Sequence, residues 1–250
     1  MNRGSDDAWS FLRRATAARI ALGRTGDSLP TRRVLEFQMA HAQAQDAVHA
    51  AFDAERLARE FATLAPLIVT SRAATRQEYL QRPDLGRLLA EDSQRALTRG
   101  VYDISIVAAD GLSARATKDH APALLRALQP YFRDLCLAPL VIATQARVAL
   151  GDEVADALGA TLVIMLIGER PGLSSADSLG AYLTYAPRPR VTRDAERNCV
   201  SNIRPDGLPI EEAARTVASL VRLALTRKFT GIALKQDEAL ALMAPRFSDQ

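Results

Sequence analysis

Residues 162–167 read Leu-Val-Ile-Met-Leu-Ile, six consecutive apolar side chains between Thr161 and Gly168. The run is far shorter than the ~20 residues a membrane-spanning helix needs. Read as a strand, it would point successive side chains to opposite faces, and both faces here are apolar. Such a strand has to be covered on both sides, which is the situation of a central strand between two layers of helices. No other feature constrains the fold as much.

The neighbouring segments supply those layers. Residues 101–109 read as a buried strand ending at Asp110-Gly111, and 140–144 as a second short apolar strand. A helix is expected over 121–134, with Leu124, Leu125, Leu128 and Phe132 facing inward and a kink or break at Pro130. A shorter helix is expected over 152–158, and 181–185 reads as a further strand. A long amphipathic helix over 210–227 has Glu211 and Glu212 in its first turn and Arg227 in its last, which suits the helix dipole. Strands alternating with helices predict an α/β fold, a doubly wound, mostly parallel Rossmann-like sheet over 101–250.

Residues 1–100 form a smaller helical region by pattern. Ser5, Asp6 and Asp7 can cap a helix carrying Trp9, Leu12, Ala15 and Ile20, with Gly23 and Gly26 as its stop. Pro30 can open a second helix over 31–51, with Val34, Phe37, His41, Ala44 and Val48 on one side. A third helical segment is expected from Pro83-Asp84 to a stop at Gly100. The apolar stretch 64–70 is undecided between helix and strand.

In such sheets ligands bind beyond the carboxyl ends of the strands, near a switch in strand order. Three segments qualify: 110–113, 168–173 and 188–203, the last containing Arg197-Asn-Cys-Val-Ser-Asn202. The chemistry they lack is informative. No GxGxxG follows the first strand and no GxxxxGK[ST] occurs anywhere, so nicotinamide, flavin and P-loop nucleotide sites lose their phosphate-binding turns. Cys136 and Cys199 lie far apart without a CxxC pair, which argues against a zinc site or a redox dithiol. The three histidines, His41, His49 and His120, do not have the spacing of a metal triad.

Charge bears on partners. Thirty-two basic and 29 acidic side chains leave a formal charge of only +3, and the arginines alternate with acids, as in Arg193-Asp194-Ala195-Glu196-Arg197. With aromatics at 5%, stacking platforms are scarce, so no nucleic-acid partner is expected. No apolar run can cross a bilayer, and the polar opening residues lack the basic start and apolar core of a signal peptide. A cytoplasmic location and no membrane partner follow as expectations.

Several long motifs carry a resemblance. The runs GERPGLSSADSLGAYLTYAPRPR (168–190) and DAERNCVSNIRPDGLPIEEAA (194–214) closely resemble the small subunit of ethanolamine ammonia-lyase. LRRATAARIALGRTG (12–26), YLQRPDLGRLL (79–89) and VAADGLSARA (107–116) support the match, which runs from about residue 8 to residue 233. The resemblance implies a subunit of an adenosylcobalamin-dependent lyase that converts ethanolamine to acetaldehyde and ammonia by a radical mechanism. The large subunit, a TIM barrel, would hold the substrate and supply the catalytic side chains, so no catalytic residue and no protein metal ligand is expected in this chain. The small subunit would cover the lower side of the cobalamin.

Three cofactor-contact positions carry over from the family: Val148, Glu169 and Cys199. Arg170 and Asp110 are neighbouring candidates. Many cobalamin-binding α/β domains ligate cobalt through the His of a DxHxxG loop, and no such motif occurs here. A base-on cofactor without a protein His ligand is therefore expected. The resemblance also implies a hetero-oligomer with the large subunit, a dodecamer of six large and six small chains, the N-terminal region providing subunit contacts. Enclosure in a bacterial microcompartment is open, because the long N-terminal extension of some relatives is replaced by about seven residues before the first helix. The alternative reading is a stand-alone α/β ligand-binding or scaffold protein without activity.

Overall fold

The structure, a computed structural model, describes residues 9–16 and 18–234. Its six strands are β1 (Leu67–Thr70), β2 (Tyr102–Ala109), β3 (Val141–Thr144), β4 (Ala160–Gly168), β5 (Leu179–Tyr185) and β6 (Asn198–Ile203). The helices are α1 (Ser10–Ala15), α2 (Thr31–His49), α3 (Ala54–Glu60), α4 (Arg76–Gln81), α5 (Glu91–Ala96), α6 (Ala114–Leu128), α7 (Leu150–Leu158) and α8 (Ile210–Arg227).

The strands form one sheet in the order β1-β3-β2-β4-β5-β6. β1–β3, β3–β2 and β2–β4 pair in parallel, and β4–β5 and β5–β6 are antiparallel. The chain is therefore α/β, as expected, with a mixed sheet. β5 follows β4 after only ten residues, too few for a crossover helix, so it returns antiparallel.

The 162–167 run behaves as its composition requires. Leu162, Ile164 and Leu166 pack in one core cluster with Leu124, Leu125 and Leu128 of α6 and Val217, Leu220 and Val221 of α8. Val163, Met165 and Ile167 pack in the other, with Leu150, Val154 and Leu158 of α7. Each such side chain removed from water contributes about 1.5–3 kcal/mol, so β4 anchors both cores.

Several expected boundaries shift. α6 begins at Ala114, not 121, because Ser113 caps it: its hydroxyl oxygen accepts the Ala116 N–H at 3.3 Å. Pro122 lies inside this helix, although a proline suits a first turn equally well. Pro130 does end the regular helix, and Gln129–Phe132 tighten into a 3-10 turn. The expected caps Ser5, Asp6 and Asp7 lie outside the described residues. α1 stops at Ala15, short of Ile20.

The expected helix over 83–100 is instead a 3-10 turn, Leu85–Arg87, followed by α5. The undecided stretch 64–70 is a 3-10 turn, Ala62–Leu64, and strand β1, which pairs with β3 from Leu67↔Val141 to Thr70↔Thr144. The first hundred residues thus contribute a strand to the sheet. The 197–202 run, expected as a strand-end loop, lies largely in edge strand β6, whose Cys199 is opposite Tyr182 of β5.

Candidate functional site

The connection after β2 leads to α6 in one core cluster, and the connection after β3 leads to α7 in the other. Departing to opposite faces, the two leave a crevice between them at the carboxyl ends of these strands. The β2 and β4 ends meet closely there. Gly111, at φ +57°, sits where an added Cβ would lie 2.2 Å from the Gly168 carbonyl oxygen. A Cβ on Gly168 would lie 1.9 Å from the Ser113 carbonyl oxygen, so the closeness of the two loops depends on glycine at both positions.

Asp110 fixes the floor of the crevice. Its carboxylate accepts the backbone N–H groups of Gln145 (2.9 Å), Ala146 (3.0 Å) and Gly111 (2.9 Å), and Arg76 lies 3.4 Å away. Burial holds this carboxyl above its ordinary value, with the backbone bonds and Arg76 pulling it back. The residue orients the β3–α7 loop. It is not presented to the open space.

That loop turns the chain outward. The Tyr79 hydroxyl donates to the Ala146 carbonyl at 3.0 Å, and burial keeps this phenol protonated well above its ordinary range. The Arg147 guanidinium lies 4.3 Å from the centre of the Tyr79 ring and Arg76 lies 4.7 Å from it. Val148 follows at the turn into α7, half-buried.

Beyond α7 the sheet continues into β5 and β6, where Tyr182 and Cys199 are only partly covered. The result is a cleft of about 900 Å³, whose lining includes Leu88, Arg147, Val148, Tyr182, Arg197 and Cys199. A recess of about 410 Å³ adjoins it, lined among others by Tyr79, Leu112, Gly168, Glu169 and Arg170. Arg147, Val148 and Tyr182 line both, so the two spaces form one trough.

Under the trough, Arg197, just before β6, grips Asp152 of α7 through two hydrogen bonds, Nη1 to Oδ1 at 2.6 Å and Nη2 to Oδ2 at 2.7 Å. Nη1 also donates to the Thr184 hydroxyl at 2.8 Å. Burial holds Asp152 above its ordinary carboxylate value, against the pull of Arg197. Burial and the neighbouring Cys199 keep the Tyr182 phenol protonated above its usual range, and the two side chains are hydrogen-bonded.

Compared with known proteins, residues 6–235 match the family model described as ethanolamine ammonia-lyase light chain. The chain belongs to that family. A protein of Bradyrhizobium diazoefficiens named ethanolamine ammonia-lyase small subunit is 53% identical over 237 residues, covering 91% of this chain and 90% of that protein. Proteins of the same name from Rhodococcus erythropolis and Pseudomonas putida are each 52% identical, covering 92% and 94% of this chain and 90% and 89% of theirs. As a family member this chain is the small subunit of an ethanolamine ammonia-lyase, a lyase that the name itself pairs with a large subunit.

All three positions singled out in this family member face the trough. Val148 is at its middle, Glu169 lines the recess, and Cys199 lines the larger cleft. Glu169 is held by the Ser178 hydroxyl, which donates to Oε2, and by the Asn202 N–H at 3.4 Å. Arg170, exposed, borders the recess, whereas Asp110 lies beneath the surface. Arg197 lies in the 188–203 segment expected to carry a site, whereas Tyr182, Arg147 and Asp152 were not singled out; pairing across β5, β6 and α7 brings them to the trough.

Both cysteines are free thiols. Among the described residues no cluster of His, Cys, Asp and Glu could hold a metal ion. No described helix is long and apolar enough to cross a membrane.

Proposed function

We propose that the trough cradles adenosylcobalamin, and that this chain closes one side of a cofactor whose other side meets the large subunit. The observation that carries the reading is that Val148, Glu169 and Cys199, from a β3–α7 turn, a strand end and an edge strand, line one continuous space. The donor set fits a corrinoid. Val148, Leu88 and Leu112 would offer apolar contact, Glu169 would accept hydrogen bonds from side-chain amides, and Arg170 would donate to amide carbonyls.

When bound, the cofactor supplies the radical that starts the conversion of ethanolamine to acetaldehyde and ammonia. The residues of this chain bind, orient and shield. Val148 and Tyr182 would shield the sheet side of the trough from water, and Glu169, held by Ser178 and Asn202, would orient the bound cofactor by hydrogen bonding. No residue here is assigned to the substrate, whose site belongs to the large subunit.

The cofactor would be base-on, its own dimethylbenzimidazole serving in place of a protein His, because the sequence carries no DxHxxG loop. Labelling the protein's histidines with ¹⁵N should leave the hyperfine pattern of bound cob(II)alamin unchanged. A new nitrogen coupling would overturn the base-on state.

Residues 1–100 would carry the large-subunit contacts, while also lending β1 to the sheet and Tyr79 and Leu88 to the trough, and 101–250 would form the rest of a Rossmann-like cofactor-binding region. α2 supports the first part. It is a 19-residue helix on which Leu35, Phe37 and Met39 are 58, 46 and 66% exposed, an apolar surface suited to a partner. The assembly is a cytoplasmic dodecamer of six large and six small chains, open to enclosure in a microcompartment.

The test is reconstitution. This chain alone should show no deaminase activity, and should restore it when mixed with the large subunit and adenosylcobalamin. Activity of the isolated chain would overturn the reading.

A further inference from the structure

The charges that line the larger cleft do not balance at one end. Asp84 is gripped by Arg82 at 2.7 Å, Arg190 lies 3.4 Å from Glu153, and Arg197 is paired with Asp152 and lies 3.5 Å from Asp194. Arg87 and Arg147 remain. Among the described residues neither has a carboxylate within ion-pair distance. They are also neighbours: the Arg147 N–H donates to the Gly86 carbonyl at 2.8 Å, and a Cβ on Gly86 would lie 3.0 Å from the Arg147 side chain. Both side chains line the same cleft, and their backbones meet at Gly86.

Arg147 is the more unusual of the two. It is half-buried, its Nη2 donates only to the Tyr79 carbonyl at 3.3 Å, and its Nε is buried without any partner. A cation withdrawn this far from water is costly unless an anion or several acceptors compensate it. Tyr79 offers it a ring face and no negative charge, and the same ring already faces Arg76. Arg87 is exposed and lines the same cleft.

We propose that Arg147 and Arg87 form an anion subsite in the cleft that takes a phosphodiester, the one negatively charged link in the nucleotide loop of a base-on cobalamin. The inference rests on the corrinoid reading above and deepens it by naming which part of the ligand lies at this end. Guanidinium groups suit the role because their planar forks donate two parallel hydrogen bonds to phosphate oxygens. An ammonium could supply the charge without the fork.

The experiment uses the complex of large and small subunits and three probes read by their visible absorption: cobalamin, cobinamide, which lacks the nucleotide loop, and cobinamide phosphate, which keeps the phosphate but lacks the ribose and base. Arg147→Gln and Arg87→Gln should each weaken cobalamin and cobinamide phosphate by about 10-fold or more, the loss expected for a charge-assisted hydrogen bond, and cobinamide by less than about twofold. Arg147→Lys should recover part of the loss. Arg87 is exposed, so its substitution tests the subsite without threatening the fold.

Equal losses for all three probes would overturn the subsite, because the arginines would then act on the corrin ring or on the fold. So would cobalamin affinity unchanged in both variants, including the case where inorganic phosphate alone binds the wild-type complex in an Arg147-dependent way. A wild-type complex that binds none of the corrinoids would instead overturn the cofactor reading itself, and the subsite with it.

Discussion

Arg197 and Asp152 join an edge strand to a helix across the floor of the trough by a bidentate ion pair whose side chains are only 3 and 1% exposed. Cys199 lies two residues from one partner and Val148 four residues from the other, so the pair sets the distance between two walls of the site. A buried pair is weak evidence for net stability, but removal of one partner leaves a charge with nothing to compensate it.

Arg197→Met should therefore destabilise the chain by about 3–5 kcal/mol at neutral pH, measured by chemical denaturation. The deficit should shrink on acidification. Burial already raises Asp152 above its unfolded value, and without Arg197 nothing pulls it back. A raised carboxyl contributes stability below its unfolded pKa and loses that contribution as pH rises through the folded one. A deficit as large at about pH 4.5 as at about pH 8 would contradict this account.

The surface pair Arg222–Asp134 should show the opposite dependence. It ties α8 to the segment after α6, and its hydrogen bonds hold the exposed Asp134 below its ordinary value. Its small contribution is present above the unfolded pKa, about 3.9, and is lost as pH falls through the depressed folded value. Denaturation midpoints of wild type and Arg222→Gln should therefore differ slightly at pH 6, converge in strong acid, and converge at high salt too.

Gly168→Ala should cost about 1–3 kcal/mol or more, since its Cβ would meet backbone at 1.9 Å and neither loop can yield without moving a strand end. The substitution should also separate the 110–113 loop from Glu169, so corrinoid retention should fall along with thermal stability. A variant with normal stability and normal retention would show that the close approach is dispensable.

Glu169→Gln keeps the side chain's shape and removes its charge. Loss of one hydrogen bond to a charged acceptor corresponds to about 1.5–3 kcal/mol, or about 10–100-fold in cofactor affinity. Gel filtration of the reconstituted complex, monitored at corrinoid wavelengths, should show faster loss of cofactor, with turnover of the loaded enzyme changed much less. Unchanged retention would remove Glu169 from the site.

Leu35→Gln combined with Met39→Gln alters two side chains that are mostly in water, so the fold should tolerate the change. The isolated chain should become more soluble, and its association with the large subunit should weaken by about 1–3 kcal/mol in a pull-down titration. An unaltered titration would place the subunit contacts elsewhere.

The amino-acid sequence by itself determined that 162–167 would be a strand covered on both faces and that Ile210–Arg227 would be an amphipathic helix, because burial on two faces or on one stripe is written in apolar spacing alone. Its motifs also identified the family. What only the tertiary structure decided is the direction of β5, the membership of the 198–203 run in the sheet, and the convergence of Val148, Glu169 and Cys199 on one trough. Strand pairing is a non-local choice: Cys199 belongs beside Tyr182 because a ten-residue connection sends β5 back along β4, and no periodicity within 198–203 records it. The two uncompensated arginines were equally invisible, since a charge is paired or unpaired only with respect to residues that folding brings to it.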